Sequence, residues 1–284
     1  MRQGTLPPMT DPDARLIRVP GGALFTVDEG EGPPIVLLHA GIADLRAWDA
    51  LVPLLVAAGY RSIRFDMRGY GRSETTAVEF SNRADVIAVL DALAIGRACL
   101  VGNSRGGTVA IDTAVEFPDR VAALVTLGAT IGGHQAEITP AEEELFEEAD
   151  RIEEAGDPDA IAAFDVALWG DGPGQPEGRL RAELRTRLSA MARAAAAPDR
   201  ERGQPIPLTP PAAGRLGALA MPVLAVCGAL DVSDTIAAAQ HLAATAPRAR
   251  AVVIPEVAHM IAMEEPAIVA SLITDLLRET GPFA

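Results

Sequence analysis

Almost wholly apolar runs recur along this chain, separated by stretches whose apolar positions follow a helical spacing. The runs are Ile35-Val36-Leu37-Leu38, Ala98-Cys99-Leu100-Val101, Ala122 to Leu127, Val223 to Cys227 and Ala251 to Ile254. Runs of this kind belong to strands buried on both faces, as in parallel sheets. Ser62-Ile63-Arg64-Phe65 predicts one more strand, and Leu16–Val19 and Leu24–Val27, flanking Pro20-Gly21-Gly22, predict a β-hairpin. Helices are predicted over Trp48–Ala58, over Asn82–Leu93 with Val86, Val89, Leu90 and Leu93 on one side, and over Thr108–Phe117, Ile236–Ala246 and Pro266–Arg278. Strand and helix alternate, which predicts an α/β fold with a doubly wound, mostly parallel sheet.

The alternation stops after residue 133. Glu142–Glu154 predicts an acidic helix, Ala160–Trp169 a second and Leu180–Ala197 a third, with a Gly/Pro-rich loop at Gly170–Gly178 and a proline-rich connector at Pro198–Pro211. The expected organisation is a loose tail at 1–13, an α/β core at 14–133 and 217–284, and a mobile helical cap at 134–216.

Composition narrows the partners. Over 284 residues the chain is 49% hydrophobic and 22% charged, as in an ordinary globular protein, and its net charge of −15 argues against nucleic acid and anionic membrane surfaces. No run approaches the apolar length of a membrane span, and the first 13 residues hold three prolines but no apolar core of a signal peptide. Cys99 and Cys227 fall inside apolar runs without metal-site spacing, and read as buried reduced thiols. The expected compartment is the cytoplasm. No metal cluster or dinucleotide fingerprint stands out, so no cofactor is expected.

The chemistry centres on Gly102-Asn103-Ser104-Arg105-Gly106-Gly107, between a predicted strand and a predicted helix. Strand, turn and helix around G-x-S-x-G make a nucleophile elbow. A serine hydroxyl is a weak nucleophile until it is exposed beside a base and hydrogen-bond donors. The base must be one of four histidines, and His259 follows the last strand, on the same sheet edge as Ser104. The orienting acid is expected at Asp231, after the Val223–Cys227 strand, with Asp234 as the alternative. Oxyanion donors are expected at the Arg105 and Gly41 N–H groups. His39 is read as bracing the Gly41 loop. Asp66 and Arg68 are likewise read as loop braces.

These segments resemble the α/β-hydrolase superfamily over nearly the whole chain. Leu37-Leu38-His39-Ala40-Gly41 resembles its oxyanion loop, Asp66-Met67-Arg68-Gly69-Tyr70-Gly71-Arg72-Ser73 its D-x-R-G-x-G-x-S turn, and Ser104-Arg105-Gly106-Gly107 its elbow. His39 to Trp48 and Phe117-Pro118-Asp119-Arg120-Val121 resemble 3-oxoadipate enol-lactonases and related bacterial carboxylesterases. The resemblance implies a serine branch, because the superfamily's epoxide hydrolases and haloalkane dehalogenases use an aspartate nucleophile. Two positions depart from the pattern. Ala40 stands where glycine is usual, and Arg105 where methionine, leucine or glutamine is usual. The Arg105 side chain either holds a substrate anion or pairs with the Glu142–Glu154 run.

The expected activity is cleavage of a carboxylic ester or lactone through an acyl-enzyme on Ser104, with His259 and Asp231. Ile42, Arg105, Trp169 and Met260 are expected to line the substrate pocket, with a core role for Trp169 as the alternative. Rival readings are another triad-dependent reaction (C–C hydrolysis, acyl transfer, rearrangement) and a ligand receptor on the same fold. The expected partner is a small molecule, and a homodimer is left open.

Overall fold

The structure is a computed structural model and describes residues 13–197, 200–281 and 283. The expected tail, except Asp13, lies outside the described residues. The hairpin is β1 (Ala14–Val19) with β2 (Gly22–Glu29), antiparallel, with Val19 opposite Gly22. β3 (Pro34–Leu38), α1 (Val52–Ala57), β4 (Arg61–Phe65), the short strands β5 (Glu74–Thr75) and β6 (Glu79–Phe80), and α2 (Asn82–Ala92) follow. Then come β7 (Ala98–Asn103), α3 (Arg105–Glu116) and β8 (Val121–Leu127). The next segment carries α4 (Pro140–Ala155), α5 (Pro158–Asp165), α6 (Ala182–Ala195) and the two-residue β9 (Gln204–Pro205). The chain closes with β10 (Val223–Gly228), α7 (Ser233–Thr245), β11 (Ala249–Ile254), α8 (Ile261–Glu264) and α9 (Pro266–Thr280).

Among the described residues, one sheet takes the order β1-β2-β4-β3-β7-β8-β10-β11, with β5 beside β2. The β1, β2 and β4 pairings are antiparallel, and every pairing from β4 to β11 is parallel. Alternation along each strand sends neighbours to opposite faces. Val36, Leu38, Leu100, Val223 and Ala225 pack with α2, α3 and α7 on one face. Ile35, Leu37, Val101, Leu224 and Val226 pack with α1 and α9 on the other. Both faces are therefore covered from β3 to β10, which explains the unbroken apolar runs there. β11 is the edge strand, and its Ala251–Ile254 run, expected to be buried on both faces, is largely exposed because one side has no neighbouring strand, with Val253 45% exposed.

Three local details depart from the periodicity. The helix expected over Trp48–Ala58 is split into a 3-10 turn at Leu45–Trp48, whose start Asp44 caps through the Arg46 N–H, and α1, with Pro53 in its first turn. The proline-rich connector is not purely loop, because β9 pairs in parallel with β6, Glu79 opposite Gln204. The second inserted helix ends in a π-helical turn, Val166–Asp171.

The inserted helices are tied to the core by polar contacts. At the start of α4 the Glu142 carboxylate accepts hydrogen bonds from the Thr139 N–H and hydroxyl at 2.8 and 2.7 Å. It also accepts from the Ser233 N–H and hydroxyl, both at 2.6 Å, at the first residue of α7. Burial alone would raise its pKa, but the Ser233 and Thr139 donors outweigh it and bring the carboxyl down to about 2. The sign follows from linkage: a carboxyl depressed in the folded state stabilises fully above its ordinary value of 4.5, and loses that contribution as pH falls toward 2. Glu142→Gln should cost about 1 kcal/mol at neutral pH, after solvent screening. In urea unfolding, the gap between wild type and variant should close on going from pH 5 to pH 2. A gap constant over that range would refute the assignment.

Candidate active site

The sheet order reverses at β3. From β3 the chain goes first to β4 on one side and later to β7 on the other. Ligands of doubly wound sheets bind outside the carboxyl ends of the strands at such a point. Leu38 lies opposite Gly102 across the β3–β7 pair, so the loop at Gly41 and the turn at Ser104 emerge side by side.

Ser104 sits at φ 52°, ψ −120°, outside the relaxed regions of an L-residue. Two contacts hold it there: its N–H donates to the Leu127 carbonyl at 2.8 Å, and its own carbonyl accepts from the Thr108 N–H at 3.0 Å. Glycine is required on either side. A Cβ at Gly102 would lie 2.2 Å from the Gly106 carbonyl oxygen, and one at Gly106 would lie 2.1 Å from that of Leu38. Arg105 is the first residue of α3, so its N–H has no intrahelical acceptor.

His259 and Asp231 meet as expected. His259 Nδ1 lies 2.8 and 3.0 Å from the two Asp231 carboxylate oxygens, and both side chains are buried. A second donor, the Val232 N–H, fixes Asp231 at 2.8 Å. Asp234, the alternative acid, lies instead in the first turn of α7. His134 and His241 stack on each other, with ring centroids 4.3 Å apart, and neither lines the cavity at Ser104.

His39 braces its loop. Its Nδ1 lies 2.8 Å from the Ala40 carbonyl, and its Nε2 accepts from the Met67 N–H at 3.0 Å. This pattern requires the neutral ring, and burial lowers its pKa to about 4. Asp66 accepts from the Leu45 and Arg72 N–H groups at 2.8 and 2.7 Å, and burial raises its pKa to about 6. Arg68 holds Asp85 through two buried bonds of 2.7 and 2.8 Å. The D-x-R-G turn is thus an internal brace that supports the Gly41 loop from below.

Ser104 and His259 open on a cavity of about 700 Å³, lined also by Gly41, Ile42, Tyr70, Arg105 and Trp169. The Trp169 ring lies 4.6 Å from the His259 ring, centroid to centroid, and so walls the site. Met260 corrects the expectation. It is fully buried, away from the cavity, in an apolar cluster with Ala40, Val166, Leu180 and Met263. Burying its long apolar side chain among these residues, from both the core and the insertion, removes it from the cavity wall.

Several supporting residues lay outside the sequence reading. The Asn103 amide donates to the Leu127 and His259 carbonyls at 3.0 and 3.1 Å, joining the elbow to the histidine loop. Arg179, from the insertion, holds Glu264 at 2.7 Å and the Glu256 carbonyl at 3.0 Å, while Glu264 accepts from the Ala258 N–H at 2.9 Å. Gly128 follows β8 at φ 55°, and a Cβ there would lie 2.9 Å from Asp231 Oδ2 and 3.0 Å from His259 Nδ1. A glycine directly after a buried strand, on the edge shared with the elbow, was the available signal.

Residues 33–266 match the protein family described as alpha/beta hydrolase fold. An epoxide hydrolase from Caballeronia sordidicola is 32% identical over 162 residues, covering 53% of this chain and 46% of that protein. A 2-hydroxy-6-oxononadienedioate/2-hydroxy-6-oxononatrienedioate hydrolase from Comamonas testosteroni is 35% identical over 108 residues, covering 36% of this chain and 38% of that protein. The chain thus spans less than half the length of these curated relatives. The crystal structure of esterase RhEst1 from Rhodococcus sp. ECU1013 superposes with a TM-score of 0.76 at 25% identity, covering 95% of this chain and all of that one. Among the described residues, no helix is long and apolar enough to cross a membrane.

Gly128→Ala should separate the Asp231–His259 pair. The strongly downfield imidazole N–H proton of that pair should vanish from the proton NMR spectrum, with a stability loss of about 1–2 kcal/mol from the left-handed backbone. Retention of that signal in a folded variant would refute the close contact at Gly128.

Proposed function

The chain belongs to the alpha/beta hydrolase fold family, and on that premise we propose that it is a serine hydrolase of carboxylic esters or lactones. The observation that carries this reading is the strained Ser104, presented into the same cavity as a histidine already paired with a buried aspartate. His259 takes the Ser104 proton as the hydroxyl attacks the carbonyl carbon. Asp231 holds the imidazole in the tautomer that leaves Nε2 free to accept, and stabilises the cation that forms. The Gly41 and Arg105 N–H groups receive the oxyanion of the tetrahedral intermediate. His259 then returns the proton to the leaving alkoxide. Water, deprotonated by the same histidine, releases the acid from the acyl-enzyme and regenerates Ser104.

The helices between β8 and β10 serve as the cap of this site, with Trp169 and Ile42 on its walls. A cap that carries the wall against His259 shields the acyl-enzyme and shapes the pocket. Serine at position 104 sets this chain apart from aspartate-nucleophile epoxide chemistry. The similarity to a dienedioate hydrolase favours C–C bond cleavage by the same triad as the second reading. The partner is a small molecule, no cofactor enters any step, and the cytoplasm suits the two buried free thiols.

A panel of p-nitrophenyl esters, lactones and a vinylogous 1,5-diketone separates these readings. Ester or lactone turnover should fall at least about 10⁴-fold in Ser104→Ala. Ester turnover that survives the substitution would overturn the proposal, and turnover of the diketone alone would transfer it to C–C hydrolysis.

A further inference from the structure

Three arginines line the cavity that holds Ser104: Arg83, Arg105 and Arg202. Two are engaged by the protein itself. Arg83 pairs with Glu116 and donates to the Ile206 carbonyl at 3.0 Å, and Arg202 donates to the Ala195 carbonyl. Arg105 alone of the three makes no hydrogen bond or ion pair among the described residues. The acidic run of α4 offered partners, and none is taken. Of the carboxylates that share the cavity, Asp165 is tied to Trp169, burial raises its pKa to about 6, and Glu153 faces it. Asp112 lies two helical turns along α3, roughly 12 Å from Ser104 by helix rise.

The free guanidinium sits beside the reacting centre. Its Nε would be 3.1 Å from a Cβ at Gly41, and the Tyr70 hydroxyl 3.7 Å from the same point. The Tyr70 ring lies 5.9 Å below the guanidinium carbon. Arg105 therefore spans from the first turn of α3 back across the Gly41 loop, on the wall of the cavity that Ser104 shares. Burial is the main cause of the low His39 pKa, and the Arg105 charge acts in the same direction, so its field reaches this loop.

We propose that Arg105 and the Tyr70 hydroxyl form an anion subsite, and that the substrate is a carboxylic ester or lactone bearing a carboxylate a few bonds from the scissile carbonyl. This rests on the ester or lactone reading and narrows it. A planar guanidinium with all its donors free matches a carboxylate through two parallel bonds. The net charge of −15 repels anions at long range, so discrimination belongs to this local contact rather than to steering.

The test compares mono-p-nitrophenyl glutarate with p-nitrophenyl valerate, matched in chain length and differing in the terminal carboxylate. In wild type kcat/KM should favour the glutarate. The glutarate-to-valerate ratio should drop about tenfold to a hundredfold in Arg105→Gln, with partial recovery in Arg105→Lys, whose single ammonium lacks the fork. Tyr70→Phe should lower the ratio by a smaller factor. Calorimetric binding of the glutarate ester to Ser104→Ala and to Ser104→Ala/Arg105→Gln reads the subsite without turnover. Arg105-dependent binding alongside an inactive wild type would sustain the anion subsite while removing the hydrolase reading. A wild-type ratio at or below one, or a ratio and a binding constant untouched by Arg105→Gln, would overturn the inference.

Discussion

Everything at the catalytic edge depends on how closely three backbones approach one another at the elbow. The end of β3, the end of β7 and the first turn of α3 pass within contact distance only because residues 102 and 106 have no side chain. That approach holds Ser104 in the left-handed region. Strain of this kind costs roughly 1–3 kcal/mol and persists only when the surroundings over-determine it. Here the Leu127 carbonyl, the Thr108 N–H and the packed helix all do so. The same contact places the unpartnered N–H of Arg105 next to the Gly41 loop. The strained Ser104 and the free Arg105 N–H are thus two consequences of one packing event.

The second consequence concerns the histidine loop. It is not held by its own strand alone. Asn103, the residue before Ser104, donates to the His259 carbonyl, which ties the elbow to the histidine loop. From above, Arg179 grips Glu264 and the Glu256 carbonyl, Trp169 lies against the imidazole, and Glu142 anchors α4 to the helix that follows Asp231. Pairs this buried stabilise little in net terms, but leaving one partner alone is costly, so they fix geometry more than they add stability. An insertion bound at these points acts as a positioning frame.

Much of this was legible in the residues themselves. Buried parallel strands announce themselves as continuous apolar runs, and every such run became a strand within a residue or two. Ser104 was legible because its turn needs a local glycine pattern. His259 and Asp231 were legible because each lies in the loop after a strand that ends on the same edge. What escaped depends on contacts distant in sequence. Nothing local to Arg179 announces Glu264, and nothing in a two-residue strand announces the β6–β9 pairing. Met260 escaped for a different reason. Its neighbours in the apolar cluster, Ala40, Val166 and Leu180, come from distant parts of the chain, so adjacency to His259 in sequence did not decide which side it faces.

The unpaired Arg105 gains its meaning from that contrast. In this chain, arginines near the core are used to lock carboxylates: Arg61 to Asp28, Arg68 to Asp85, Arg179 to Glu264, Arg185 to Asp171. A protein with 39 acidic residues against 24 basic ones has carboxylates to spare. Other arginines, Arg97, Arg202 and Arg215 among them, donate to backbone carbonyls instead, and the Arg105 guanidinium, at the residue after Ser104, has neither kind of acceptor among the described residues. Its path over Gly41 keeps the guanidinium in the cavity that Ser104 shares. A carboxylate arriving with the substrate would complete there the pairing that Arg68 and Arg179 complete within the fold.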